Sequence, residues 1–268
     1  MYLSKSVHIS FVALMGIFLL ITLPSLAKID PEAITGMWFF DEGNGGAAAD
    51  ASGNGNDGEI HGAKWVDGKF GKALEFDGVS NWVEVPHSNT VAFKAGVSFT
   101  ITCYFKGSKV GGSLVGKNYE DTSQATPWYL LWDNGSKNTV SLYLRDSAGT
   151  SFPAHGTTPI ADEKWHFIAG RADADTGKAS IWVDGKMEAE VDFNAKDGYG
   201  TSDGVFHVGR HYDRYTEGII DDVALFNVAL SEEDMDALMD AGVGTAAAVD
   251  PVNKLTTTWG RIKRQIGR

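Results

Sequence analysis

Two adjacent carboxylates, Asp221 and Asp222, interrupt an apolar run at 218–227, where strand alternation would put one of them on each face. A carboxylate turned toward a core is costly unless it is hydrogen-bonded, paired or bound to a metal. Calcium takes about six to eight hard oxygen ligands, mixing carboxylates with the carbonyls of tight turns. Asp77 lies at an Asp-Gly turn and Asp41 ends the first apolar stretch. The first and last strands of a sandwich commonly lie together, so Asp41, Asp77, Asp221 and Asp222 are expected to converge on one structural Ca2+ ion that clamps the termini. The competing expectation is that Asp221 or Asp222 caps backbone amides, or pairs with Arg210 or Arg171.

A second chemistry is suggested by polar and aromatic side chains on strand faces opposite the core. In the stretch 128–133 the parity of Trp128, Leu130 and Trp132 is assigned to the core, which leaves Tyr129 and Asp133 outward. In 140–145 the outward set is Ser141, Tyr143 and Arg145. Aromatic faces pack on the C–H surfaces of sugars, while carboxylates and guanidinium groups orient hydroxyls. Tyr129, Asp133, Tyr143 and Arg145 supply that chemistry on one sheet face. The loop 209–215, with Arg210 and Tyr212, is placed at its rim, with Tyr119 and His155 as additions. The competing expectation is an ordinary amphipathic outer face. His166 lies in an apolar strand and is read as a structural hydrogen-bonding histidine. The single cysteine, Cys103, falls on the apolar parity of 97–105 and is read as a buried, inert thiol. No Gly-x-Ser-x-Gly, His-Glu-x-x-His or phosphate-loop pattern occurs.

These residues need rigid elements to hold them, and the punctuation of the chain calls for strands. Alternating or continuous apolar stretches are expected at 34–41, 71–78, 81–86, 97–106, 113–117, 127–133, 139–146, 164–172, 178–184, 186–193, 205–209 and 218–227. Asp77-Gly78, Asp133-Asn134-Gly135 and Asp184-Gly185 mark turns, and the first of these is expected to close a hairpin between 71–78 and 81–86. Ser231-x-x-Asp234 is a capping-box pattern that opens one short helix over 232–241, with Gly242 as its stop. No alternation of strand and helix occurs, so the fold class is all-β: a two-sheet antiparallel sandwich with one short C-terminal helix.

Residues 1–27 combine a weakly basic start, an apolar run and Ser25-Leu26-Ala27, the pattern of a secretory signal peptide cleaved after Ala27. The mature chain is therefore expected to be secreted or extracytoplasmic, with no membrane span. The whole chain has 23 basic and 35 acidic residues, net −12. That balance excludes a nucleic-acid footprint, which requires a basic surface. The sandwich is placed at 28–243, followed by a small-residue linker and basic tail at 244–268, whose last fifteen residues carry five basic side chains and no acid.

Seven motifs now occur in a fixed order. They are the Asp50-x-Ser52-Gly53-Asn54-Gly55-Asn56-Asp57-Gly58 loop, Leu74-x-Phe76-Asp77-Gly78, Phe99-Thr100-Ile101, Trp165-His166-Phe167-Ile168-Ala169, Trp182-Val183-Asp184-Gly185, His207-Val208-Gly209 and the stretch 218–231. Together they resemble the laminin-G-like branch of the concanavalin A-like lectin/glucanase superfamily, over about 34–242. The resemblance implies a jelly-roll sandwich and a choice among lectin, adhesion module, hydrolase and spacer. Retaining glucanases of that superfamily carry Glu-x-Asp-x-(x)-Glu on one strand, and Glu190-Val191-Asp192 matches its first part. Asn194, Ala195 and Lys196 stand where the third acid would be, so an acid/base partner is missing. The expected function is a non-catalytic module that binds a glycan or an extracellular protein surface. The alternatives are a glycoside hydrolase and a purely structural domain.

Overall fold

The computed structural model describes residues 29–109, 111–117, 127–134, 137–201 and 203–246. The expected signal peptide and basic tail, and Tyr119, lie outside them. After a 3-10 turn at Pro31–Ala33 come β1 (Ile34–Trp38), β2 (Ala47–Ala48), β3 (Gly58–His61), β4 (Lys64–Asp67), β5 (Lys72–Asp77) and β6 (Trp82–Val85). The middle of the chain gives β7 (Phe99–Lys106), β8 (Ser113–Lys117), β9 (Trp128–Asn134), β10 (Thr139–Arg145), β11 (Ser151–His155) and β12 (His166–Asp173). The last third gives β13 (Lys178–Val183), β14 (Lys186–Asp192), β15 (Phe206–Val208), β16 (Arg210–His211), β17 (Arg214–Tyr215) and β18 (Glu217–Phe226). Two helices follow, α1 (Glu232–Ala241) and α2 (Val243–Ala246). The first sheet runs β14-β13-β12-β7-β18-β5-β4, with β1 also on β18; the second runs β11-β10-β9-β8-β15-β6-β3-β2. First and last strands therefore pair, Met37 opposite Ala224 and Trp38 opposite Val223. This is the expected all-β antiparallel sandwich.

Alternation explains the core. Phe99, Ile101, Cys103 and Phe105 from β7 meet Leu131 and Leu142 from the second sheet in one continuous cluster. Cys103 is buried and its thiol is pushed well up by burial alone, as an inert core sulfur should be. The sheets close tightly at Gly170, where a Cβ would come 2.8 Å from both Leu131 and Leu142. The loop after β2 is held by its own side chains. Asp50 accepts the amides of Met37, Ser52 and Asn56, and buried Asn56 donates to the Thr35 carbonyl while accepting from Ser88 and Thr90.

Two expectations about these strands are corrected. The pair 71–78 and 81–86 is not a hairpin: β5 lies in the first sheet and β6 in the second. The Asp77-Gly78 turn is an arch that carries the chain across the sandwich. Leu74 and Phe76 then enter the same core from one side, and Val83 and Val85 from the other. Alternation is identical in a hairpin and in such an arch, so it could not separate them. In β18 the register shifts between Asp221 and Ala224, and Asp222 has φ +46°. This bulge resets the parity, so Ile220 shares the inner core with Val223 and Leu225, while Ala224 and Phe226 face the other way.

A third layer covers the far face of the first sheet. Helix α1 occupies the expected residues, and Ser231 and Asp234 form the reciprocal capping box. Its buried Met235 and Leu238 pack with Tyr104, Phe167, Trp182 and Phe226, and the Tyr104 hydroxyl donates to the Met239 carbonyl. Residues 244–246, expected as the start of the linker, join Val243 in α2, which buries Val243 and Ala246 in this second cluster. Among the described residues no helix packs on the second sheet, and that sheet carries the candidate site.

Candidate ligand-binding site

Strands β9 and β10 pair so that Leu130 lies opposite Tyr143, Trp128 opposite Arg145 and Trp132 opposite Ser141. Facing partners in a sheet share a face. Val140, Leu142 and Leu144 are in the core, so Tyr143 and Arg145 point outward, as expected, and Trp128, Leu130 and Trp132 go with them. The assignment for β9 was therefore inverted. Tyr129 is fully buried, donates its hydroxyl to the Val91 carbonyl at 2.8 Å and packs against Phe93 and Phe99. Tyr129 belongs to the core and is corrected as a ligand-contacting residue. No local signal identified it: the ladder sets Asn134 opposite Thr139, with four residues between them, and that register puts the Trp128 parity of β9 on the face of Tyr143. Asp133 pairs with Val140 near the end of β9, and its side chain lies outside the described part.

The outward side chains enclose a pocket of about 160 Å³ lined by Trp128, Leu130, Trp132, Tyr143, Arg145, His211 and Arg214. Tyr143 sits diagonally between the two tryptophans. Its ring stacks on Trp128 at 5.1 Å and 23° and meets the edge of Trp132 at 5.9 Å and 73°. Leu130 forms the floor by lying over Gly116, where a Cβ would come within 2.1 Å of its Cδ2. The rim comes from the hairpin β16–β17, as expected of the loop 209–215. His211 contacts Trp128 at 6.4 Å, and the Arg214 guanidinium lies 5.9 Å over Trp132. Burial, with Arg214 adding to it, pushes His211 down to about 4, so its imidazole is neutral at pH 7. Arg145 donates to Ser151 Oγ at 3.0 Å, which fixes its guanidinium at the pocket wall. Trp132 Nε1 is buried and has no acceptor.

Arg210 and Tyr212, also expected at the rim, sit apart from this pocket. Arg210 stacks on Trp82 at 5.0 Å and on Tyr215 at 5.9 Å, and its Nε donates to the Tyr212 carbonyl. Trp82 in turn stacks on His61 at 4.4 Å, so a second aromatic group lies at the β3–β6 end of the same sheet. Tyr212 is exposed at the hairpin turn with φ +57°. His155 bonds Ser141 through Nδ1 at 2.9 Å on the neighbouring strand.

The four expected calcium ligands do not assemble. Among the described residues no group of three or more His, Cys, Asp or Glu side chains is placed to hold a metal ion. Asp77 turns back on its own loop, accepting the amides of Val79, Ser80 and Asn81. Asp41 accepts the Lys72 amide at 2.7 Å. Asp221 accepts the amides of Lys69, Phe70 and Asp222, and Asp222 accepts that of Val243. The competing expectation, amide caps, describes both. The two acids are electrostatically strained all the same. Burial, and then the Asp222 charge, raises Asp221 to about 7; burial, and then Asp41, raises Asp222 to about 6. Arg171 pairs instead with Asp173 at 2.9 Å.

Glu190 and Asp192 lie on β14, the edge strand of the other sheet, and Asp192 pairs with Lys178 at 2.7 Å. His166 is buried between Asp184 and Asp162, at 2.8 and 3.0 Å, in the structural role expected of it.

Comparison with protein families matches residues 77–235, more than half of the chain, to the concanavalin A-like lectin/glucanases superfamily. The chain belongs to this superfamily. Among solved structures of the superfamily fold, it is similar to domain 4 of AbnA, an extracellular GH43 arabinanase from Geobacillus stearothermophilus, in complex with arabinotriose. That match has 19% identity and a TM-score of 0.63, over 77% of this chain and 98% of that one. It is also similar to the binding domain of Paraclostridial Mosquitocidal Protein 1, with 15% identity and a TM-score of 0.64, over 79% of this chain. The botulinum neurotoxin serotype G binding domain matches with 14% identity and a TM-score of 0.60, over 77% of this chain. The chain spans about half the length of these two toxin domains. No curated protein matches. At these identities the likeness is one of fold.

Proposed function

We propose that this protein is a non-catalytic glycan-binding module and that the Trp128–Trp132–Tyr143 pocket receives one sugar ring. The observation that carries this reading is the arrangement of three aromatic rings around a void on the sheet face that the helices leave uncovered. At about 160 Å³ the void is small beside the ~300–1,000 Å³ of sites that enclose whole drug-sized ligands. It suits one ring of a longer chain, with neighbouring units running along the sheet. The similarity to a domain solved with arabinotriose supports a saccharide over a protein partner, and the missing third acid after Asp192 supports binding without hydrolysis. Secretion, the setting in which such a module meets polysaccharide, is proposed on the 1–27 leader pattern.

The test is retention of the mature chain on a broad panel of immobilised polysaccharides and glycoprotein glycans. Tyr143→Ala and Trp132→Ala are each expected to weaken binding by roughly thirtyfold, about 2 kcal/mol, as truncation of an anchoring aromatic does. No reducing sugar should be released. Retention on no glycan, or retention unchanged in the double variant, would leave a structural domain. Sugar release would establish a hydrolase, with Glu190 and Asp192 the first residues to replace.

A further inference from the structure

The chemistry of the pocket wall is one-sided. Among the described residues its lining contains two guanidinium groups, Arg145 and Arg214, and no carboxylate. The chain as a whole is strongly acidic, with seven arginines among 268 residues. Four of the seven, Arg145, Arg171, Arg210 and Arg214, fall in the described residues. Three of those four stand on this sheet face or its rim. Two of the four, Arg145 and Arg214, line the aromatic pocket, which sets its wall apart from the acidic chain around it.

Donor and acceptor counts point the same way. Arginine and the indole N–H only donate, whereas neutral sugar hydroxyls are oriented by a balance of donors and acceptors. Here Arg145, Arg214 and the unpartnered Trp132 Nε1 supply donors. Among the described side chains of the lining, the Tyr143 hydroxyl and the neutral His211 imidazole are the acceptors. An acceptor-rich substituent fits such a wall. The Arg214 guanidinium carbon lies 5.9 Å from the Trp132 ring centroid, and a guanidinium can give two parallel bonds to a planar or tetrahedral anion.

We propose, resting on the glycan reading above, that the ring taken by this pocket carries a negatively charged substituent, a uronate carboxylate or a sulfate ester. Arg214 and Arg145 hold the anion, and Trp128 and Tyr143 hold the ring.

The experiment is titration calorimetry of the mature chain with matched pairs of probes at low and physiological salt. One pair is an oligouronate and the same oligomer carboxyl-reduced to its neutral form; the other is a sulfated oligosaccharide and its desulfated form. The charged member of one pair should bind at least about tenfold more tightly, and the advantage should shrink as salt rises. Arg214→Gln should remove most of that advantage, weakening the charged member far more than the neutral one, while Tyr143→Ala should weaken both alike. Which pair discriminates identifies the anion as carboxylate or sulfate. Equal binding of charged and neutral members, with Arg214→Gln silent and Tyr143→Ala still damaging, overturns the anionic ligand and leaves the glycan reading standing. Absence of binding to every probe, with the polysaccharide panel equally negative, overturns both.

Discussion

Asp221 and Asp222 show what single residues contribute here. Their carboxylates satisfy four backbone amides at the bulge, three by Asp221 and one by Asp222, and so tie β18 to the loop after β4 and to the start of α2. Asp221→Ala orphans three donors, the Asp222 amide in a buried place and those of Lys69 and Phe70 in a partly buried one, where an unsatisfied buried group costs about 1–3 kcal/mol. The expected loss is at least about 3 kcal/mol, read as a fall in the denaturant midpoint with an unchanged slope. A curve identical to the parent's would remove the amide-cap account. The raised acidities give a second prediction. An acid whose folded pKa stands above its unfolded value favours the fold while protonated, so stability falls as pH rises from about 4 to about 7 and is level above. His166 is raised by its bond to Asp184, so its contribution is complete below its ordinary 6.5 and fades above that. The depressed acids Asp77 and Asp197 lose their contribution only near and below pH 4. Melting temperature should therefore decline from pH 5 to 8. Asp221→Asn should flatten the lower part of that slope and His166→Gln the upper part. A slope untouched by either variant would assign it to the net negative charge of the molecule.

At the scale of elements, the helix layer decides where a ligand can go. α1 and α2 seal one sheet through Met235, Leu238 and Val243, with the Tyr104 hydroxyl as a polar latch on the Met239 carbonyl. Tyr104→Phe should cost about 1 kcal/mol, the ordinary net value of a hydrogen bond, without affecting glycan retention. A loss of retention in that variant would place the binding face on the helical side. The α1 boundaries were legible because a capping box and a terminal glycine are local chemistry. The β5–β6 arch was not, because the partner of each strand lies in a different sheet and neither turn residues nor alternation identify it. The break of alternation within β18 was equally hidden, since the extra residue at Asp221-Asp222 puts Ile220 on the face of Val223 and Leu225.

Over the whole molecule, the pairing of β1 with β18 draws both ends of the sandwich to one place, and among the described residues no group of three or more His, Cys, Asp or Glu side chains is placed there to hold a metal. Melting is accordingly expected to be the same in saturating calcium and in chelator. A rise of about 2.7 kcal/mol in stability at ~100 times the dissociation constant would instead reveal a bound ion, by its preferential affinity for the native state.

The sequence alone determined the all-β class, the one capped helix, the inert core position of Cys103 and the outward placement of Tyr143 and Arg145. Each rests on chemistry within a few residues: alternation, turn dipeptides, a reciprocal cap. Only the tertiary structure decided which face of β9 carries the site. Trp128, Leu130 and Trp132 are as apolar as Tyr129 and Leu131, so hydrophobicity does not choose between the two parities. The choice was made across the ladder, by the register with β10, and by a buried acceptor, the Val91 carbonyl, that only the folded chain offers to the Tyr129 hydroxyl. The same holds for the four aspartates. Their types permit shared ligation, but the fold turns Asp77 back on the amides of its own loop and gives Asp41, Asp221 and Asp222 amides of other segments, and the aspartates themselves do not tell these outcomes apart.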